Sequence, residues 1–451
     1  METDPVRVQA PPAAGRHSPG RLLEPLLTDL SGAGRKGFQF PKLDVPEVPI
    51  DRLIPERFLR REDAPLPEVS ERDLVKHFLR LAHLNFSGET NFYPLGSCTM
   101  KYNPKVNEEI AALAGFSKVH PCTPDPALQG ILKLLFDLEE LLKEILGMDA
   151  VTLQPAAGAH GELTALLIAG AYHRARGSRR TKVVVPNSAH GTNPASAALA
   201  GLTVVEIEST PRGRVSLSAL ARAMDKEVAV FMLTNPNTLG LFEEEVLEIA
   251  SLVHEKGALM YMDGANLNAL LGLFRPGDMG FDMVHINVHK TFSIPHGSGG
   301  PGAGPVGVQA ALKPFLPGPI VVREPQGAGV FRYRLASPGT DSIGRVRSFF
   351  GNVGALVRAY AYLRALGKEG LRGVAEGAIL NANYLKALVH KEFPAAVDEP
   401  CLHEFVATAK EWKARTGVRA LDIAKRLLDY GFYAPRGTRP KPAYCGVLPV
   451  Q

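Results

Sequence analysis

Six short apolar runs constrain this chain more than any other feature: AVTLQ (150–154), KVVVP (182–186), TVVEIE (203–208), VAVFMLT (228–234), ALMYMD (258–263) and MVHINV (283–288). Helical patterns such as VLEIASLVHEKG (246–257) separate most of them. A strand without a polar face must be covered on both sides, and intervening helices supply the cover. The pattern therefore predicts an α/β fold with a mainly parallel, doubly wound sheet. Ligands of such sheets bind in the crevice beyond the carboxyl ends of the strands, so function is to be sought in the residues just after each run.

The remainder of the chain sets the limits. At 451 residues it is longer than one hydrophobic core usually encloses, so more than one domain is expected. Residues 1–70 read as an irregular arm, because the prolines at Pro41, Pro46, Pro49, Pro55, Pro65 and Pro67 forbid a long helix or a central strand. Such an arm is expected to drape over another surface, either its own core or a partner subunit. A helix is expected over about Glu71–Leu84, and a long amphipathic helix over DPALQGILKLLFDLEELLKEILG, with Asp125 as N-cap and Gly147 as C-cap. We expect a large domain over 71–364 and a smaller α+β domain over 365–451.

Apolar residues at 45% and charged residues at 22% exclude a disordered chain. With 51 basic and 46 acidic residues and no dense basic stripe, nucleic acid is not the expected partner. No apolar run of about 18 residues suggests a membrane span. The four cysteines, Cys98, Cys122, Cys401 and Cys445, form no CxxC pair, and the N-terminal METDPVRVQAPP has no apolar signal core. A reducing, cytoplasmic setting is expected. His285, His289 and His296 cluster in sequence, but their spacing fits no known metal set, so no metal is expected.

The strand ends carry a coherent set. After the first run, Ala157, Gly158 and Ala159 form a small-residue turn at a helix start, where free backbone N–H groups cradle phosphate. His190 follows the second run, Asn235 the fourth, Asp263 closes the fifth, and His289 and Lys290 follow the sixth. A lysine amine can condense with an aldehyde, a carboxylate can keep a pyridine nitrogen protonated, and a flat side chain can cover the ring. Together with a phosphate cradle, these are the requirements of pyridoxal phosphate. Asp263 precedes Lys290 by 27 positions, room for one helix and one strand, so both can reach one sheet edge.

Each piece alone has an ordinary reading. Lys290 is then a solvated charge, Asp263 a helix cap before Gly264, His190 a loop histidine, and the Ala–Gly turn a close helix–strand contact. Their conjunction at successive strand ends favours the cofactor.

The strings YPLGSCTMKYNP (93–104), QPAAGAHGEL (154–163), SAHGTNPASA (188–197), LTNPNTLGLFE (233–243), MDGANLNAL (262–270) and NVHKTFSIPHGSGGPGAGPVGV (287–308) closely resemble glycine decarboxylase, the P-protein family of the glycine cleavage system. The resemblance runs from about residue 40 to about 435. Length and the single cofactor set resemble the second (β) subunit of the split bacterial form, which pairs with a homologous subunit lacking the lysine in an α2β2 assembly. The resemblance implies the aspartate-aminotransferase type of pyridoxal phosphate fold (fold type I). Lys290 would bond the cofactor, Asp263 face its ring nitrogen and His190 stack on the ring. Asn235 and the Ala157–Gly158–Ala159 turn would hold ring oxygen and phosphate, and His289 would contact phosphate or substrate.

The implied reaction decarboxylates glycine and passes the aminomethyl group to the lipoyl arm of the H-protein. An aminotransferase or lyase of the same fold would share Lys290 and Asp263. The loop with Ser97, Cys98 and Thr99 is a candidate channel for the arm, while Cys98 reads equally well as a structural thiol. After GFYAP (431–435) the text RGTRPKPAYCGVLPVQ departs from the family's strand-and-helix pattern, so an irregular segment without a closing strand is expected there.

Overall fold

The computed structural model describes residues 24–62, 64–87, 89–90, 102–295, 302–433 and 447–449. These fall into two compact units. In the first, the described residues before 70 carry only two 3-10 turns, Ile50–Arg52 and Glu56–Phe58. Helix α1 (Glu71–His83) follows, capped by Ser70, whose hydroxyl accepts from Asp73 N–H at 3.1 Å. Its inward His77 lies 3.3 Å from Glu24, while Phe38, Phe40, Leu43 and Phe78 of this unit stay exposed.

The second unit begins with α2 (Lys105–Ala112), α3 (Ala114–Ser117) and α4 (Gln129–Leu146). The expected cap at Asp125 is displaced. Asp125-Pro126 opens a separate 3-10 turn, the α-helix starts at Gln129, and the Asp125 carboxylate instead accepts from Leu335 N–H at 3.1 Å. Gly147 does end the helix, in the left-handed conformation that a Cβ disfavours (φ 65°).

The sheet strands are β1 (Ala150–Thr152), β2 (Lys182–Pro186), β3 (Thr203–Ile207), β4 (Val228–Thr234), β5 (Leu259–Gly264), β6 (Met283–Ile286) and β7 (Val306–Val308), in the order β1-β7-β6-β5-β4-β2-β3. All six apolar runs form strands. The seventh, β7, was hidden in the glycine-rich stretch and runs antiparallel to both β1 and β6. The five others, from β6 to β3, pair in parallel.

Connecting helices are α5 (Gly158–Ala175), α6 (Thr192–Leu199), α7 (Leu217–Ala223), α8 (Val246–Glu255) and the single turn α9 (Val288–Thr291). Strand alternation sorts the core into two faces. Phe231, Leu233, Met260, Met262, Val284 and Ile286 pack with α4 and α8, whereas Val183, Val185, Met232, Tyr261 and Met283 pack with α5. Each fully buried side chain of this size contributes about 1.5–3 kcal/mol.

A hairpin, β8 (Ile320–Gly327) and β9 (Val330–Ala336), was not anticipated, its strands being polar on their outer face. Helix α10 (Val353–Val389) joins both predicted helical stretches and breaks at Gly367 (φ 62°). A small separate core gathers Ala382, Cys401, Phe405 and Ala407. Around it lie β10 (Glu404–Val406), α11 (Lys410–Thr416) and α12 (Ala420–Asp429). The expectation of no strand after residue 435 is corrected: β11 (Val447–Pro449) pairs antiparallel with β10. Prolines and basic residues obscured a three-residue strand that needs only one backbone ladder. Among the described residues, no helix is long and apolar enough to cross a membrane.

Candidate active site

The strand order reverses between β2 and β4, since the chain proceeds from β2 outward to β3 and from β4 the opposite way to β5 and β6. Loops leaving β2 and β4 therefore diverge and open a crevice at the carboxyl edge. His190 follows β2, Asn235 follows β4 and Asp263 lies near the end of β5. Lys290 sits one turn beyond β6, on α9, with its backbone N–H on Asn287 O at 2.9 Å.

Asp263 is buried, and its partners are arranged around both oxygens. Asn193 Nδ2 donates to Oδ2 and Ala265 N–H to Oδ1, each at 3.0 Å, and His285 Nε2 lies 3.5 Å from Oδ1. Burial pushes the carboxyl up, but His285, the Asn193 amide, the Lys290 ammonium and the Ala265 N–H together outweigh it. Asp263 is held below its ordinary value, as a carboxylate. Lys290 is thus close enough for its charge to act on Asp263. The cap reading is also realised in part, through Ala265, and does not account for Asn193 or His285.

His190 is exposed over this edge. Its Nδ1 lies 2.8 Å from Thr192 Oγ1, and the Thr192 hydroxyl donates to Glu162 at 2.7 Å. Asn235 is fully buried; its Oδ1 accepts from Glu243 N–H at 3.0 Å, and its Nδ2 has no partner among the described residues. Asn193 Oδ1, Thr234 Oγ1, Asn287 Oδ1 and Thr291 Oγ1 are likewise buried without a described partner. Each unpaired buried polar atom costs about 1–3 kcal/mol, so a concentration of them at one sheet edge points to a bound group that pairs with some of them.

The Ala157–Gly158–Ala159 turn opens α5, with Ala157 as N-cap and no side-chain cap. Its first amides are therefore left without helical partners. The close-packing reading of the small residues is realised. A Cβ on Gly158 would lie 2.2 Å from Asn287 Oδ1, and one on Gly161 3.0 Å from His285 Cβ, so glycine lets α5 approach β6 closely. The same approach brings the open amides beside Asn287. His289 is buried, with its ring against Gly302, where a Cβ would lie 2.5 Å from Nδ1. His296 and the Ser97–Cys98–Thr99 candidate channel lie outside the described residues.

Several contributors were not singled out from sequence. Asn193 and Glu162 each lie three positions, about one helical turn, after a named residue, His190 and Ala159 respectively. Asn352 donates to Ala156 O at 3.3 Å and to Gly302 O at 2.5 Å, and accepts from Arg347 at 3.0 Å, which buttresses the cradle. Burial and then the Arg347 charge hold His160 of that turn below the ordinary imidazole value. His285 was visible by strand alternation: it lies directly opposite Asp263 in the β5–β6 register.

Comparison with known proteins addresses the family and the fold. The profile described as "Glycine cleavage system P-protein" matches residues 47–433. The chain is 55% identical over 414 residues to "Probable glycine dehydrogenase (decarboxylating) subunit 2" of Chlorobium chlorochromatii, covering 92% of this chain and 85% of that relative. It is 56% identical over 408 residues to the protein of the same name from Thermosipho africanus, covering 90% and 84%. Among solved structures, an inhibitor-bound glycine decarboxylase (P-protein) superposes with a TM-score of 0.73 at 23% identity, over 89% of this chain and 90% of that one. An alanine–glyoxylate aminotransferase from Nostoc gives 0.56 at 17%, over 79% and 89%. At these identities the structural likeness is one of fold, and the fold is the aspartate-aminotransferase type expected from the sequence.

Proposed function

Because this chain belongs to the glycine cleavage system P-protein family, we infer that it decarboxylates glycine and delivers the aminomethyl group to the lipoyl arm of the H-protein. The observation that carries the reading is the buried anionic Asp263, within reach of the Lys290 charge, at a carboxyl edge where several buried polar atoms have no partner among the described residues. The residues fit pyridoxal phosphate. Lys290 would bond it, Asp263 would hold its ring nitrogen, and the exposed His190 would cover the ring. The open Asn235 Nδ2 would donate to the ring oxygen, and the first amides of α5 would hold the phosphate. When bound, pyridoxal phosphate supplies a planar electron sink for the charge left as glycine loses CO2.

The protein's own groups do the rest. Asp263, kept ionised by Asn193 and Ala265, maintains a full negative charge where the ring nitrogen must stay protonated. Thr192 and Glu162 keep the His190 ring in place. Lys290, which would bond the cofactor, would also supply an amine able to carry a proton at that edge.

The subunit-2 relatives imply a partner subunit, and we place this chain in an α2β2 assembly with a homologous subunit. The exposed Phe38, Phe40 and Leu43 of the arm supply apolar surface for it. Glycine-dependent exchange of labelled CO2, assayed with the partner subunit and lipoylated H-protein, tests the function. Exchange requiring glycine and H-protein supports it. Transamination of other amino acids without that exchange would overturn it in favour of an aminotransferase.

A further inference from the structure

Behind Asp263 lies a second layer of enclosed side chains. Tyr261 and Asp263 are two residues apart on β5 and so point to the same face, and His285 stands opposite Asp263 on β6. The Tyr261 hydroxyl meets His285 Nδ1, and the two rings stack with centroids 5.9 Å apart and planes 17° apart. His285 Nε2 lies 3.5 Å from Asp263 Oδ1. The three side chains are almost fully enclosed, at 0%, 1% and 2% exposure for Tyr261, His285 and Asp263. Helix α5 seals them, with Gly161 packed on His285.

Enclosure fixes the direction of the hydrogens. Asp263 as a carboxylate can only accept. Burial, followed by the charges of Glu162 and Asp263, pushes the Tyr261 phenol well above its ordinary value, so it remains a donor. Because the carboxylate can only accept, the hydrogen that His285 directs at it is the one on Nε2, while Tyr261 holds the ring from the Nδ1 side. Tyr261 thus fixes the imidazole from behind, and Nε2 of His285 faces the carboxylate.

We propose that His285, oriented by Tyr261, is a positioning residue that holds the Asp263 carboxylate in the charge state and orientation needed to keep the ring nitrogen of a bound pyridine cofactor protonated. This rests on the reading that Asp263 faces that nitrogen. A merely structural role, tying β5 to β6, would affect folding and leave cofactor electronics unchanged.

The test uses the full-length protein with pyridoxal phosphate, comparing wild type with Tyr261→Phe, His285→Gln and His285→Leu. Three quantities are read: the visible absorption band, the cofactor dissociation constant and the kcat and KM of glycine-dependent CO2 exchange. His285→Leu is expected to shift the band, weaken cofactor binding about tenfold and lower kcat about tenfold or more, with KM for glycine little changed. His285→Gln, whose amide can donate from nearly the position of Nε2, is expected to recover most of the loss, and Tyr261→Phe to fall between. The proposal is overturned if folded His285→Leu keeps the wild-type band and kcat, or if His285→Gln is no better than His285→Leu. Should His285→Leu not fold, the same decision falls to Tyr261→Phe, for which a wild-type band and kcat overturn the proposal. Borohydride labelling of Lys290 in the wild type separates the two readings. Without that label the site assignment fails whatever the variants do; with it, unchanged variants sink only the role of His285.

Discussion

Thr192 on α6 donates its hydroxyl to Glu162 on α5 at 2.7 Å, and this bond links the helix that the Ala157–Gly158–Ala159 turn opens to the loop that carries His190. Ser196, one turn later on α6, donates to the other carboxylate oxygen at 3.0 Å. Glu162 is 3% exposed, so both bonds form away from bulk water.

Replacing Glu162 by Ala leaves buried hydroxyls unpaired and frees the His190 loop. Stability is expected to fall by about 2–4 kcal/mol, since hydrogen bonds to a charged group contribute about 1.5–3 kcal/mol each. Cofactor affinity should fall with it, whereas Glu162→Gln should retain most of both. Thermal unfolding and cofactor titration check this. Unchanged cofactor affinity in Glu162→Ala would mean that the anchor does not reach His190.

Asp263→Asn is close to isosteric and can keep the Ala265 N–H bond, but it removes the charge. The protein is expected to fold and to retain part of its cofactor affinity, while CO2 exchange drops about 100-fold or more, the loss expected when the electron sink is no longer protonated. Near-normal exchange would reduce Asp263 to a cap for Ala265.

Gly158 tests the close approach of α5 to β6. A Cβ there would sit 2.2 Å from Asn287 Oδ1 and 2.9 Å from its Cγ, far inside contact distance. Gly158→Ala is expected to destabilise by about 1–3 kcal/mol through overpacking and to weaken cofactor binding more than tenfold, because the cradle amides move with the helix. Equilibrium titration of the cofactor would reveal it. Wild-type affinity would show that Asn287 yields freely.

Glu399 offers a pH-dependent test away from the site. Arg212 and Arg214 each donate to it at 2.6 Å, and they hold its carboxyl down at about 2, below the ordinary 4.5. A depressed carboxyl contributes its stability above the unfolded value, and the contribution is lost as pH falls from 4.5 toward about 2. Glu399→Gln is expected to lower the urea midpoint at pH 7 by the equivalent of about 1 kcal/mol, with a smaller deficit at pH 3. An equal deficit at both pH values would mean that the pairing contributes nothing through its charge.

How far the sequence revealed this molecule depended on the kind of signal. Continuous apolar runs such as VAVFMLT marked the buried strands, because burial on both faces leaves no room for polar residues. Strand β7 was obscured because Gly307 packs where a Cβ would lie 3.0 Å from Leu146 and Met148, so its local text reads as a loop. The start of α4 was misplaced because Asp125-Pro126 carries a helix-start signature that the chain spends on a 3-10 turn. Lys290 and Asp263 were legible from chain order along the sheet edge. The supporting set of Asn193, Glu162 and Tyr261 was not, since each acts through a contact from another element that no local spacing records.

The most direct measurement is borohydride reduction of the pyridoxal phosphate-loaded protein, followed by peptide mapping. A pyridoxyl group on Lys290, carried by the turn after β6, is the expected result. Label on another lysine, or none on a protein that binds the cofactor, would contradict the assignment of the active site.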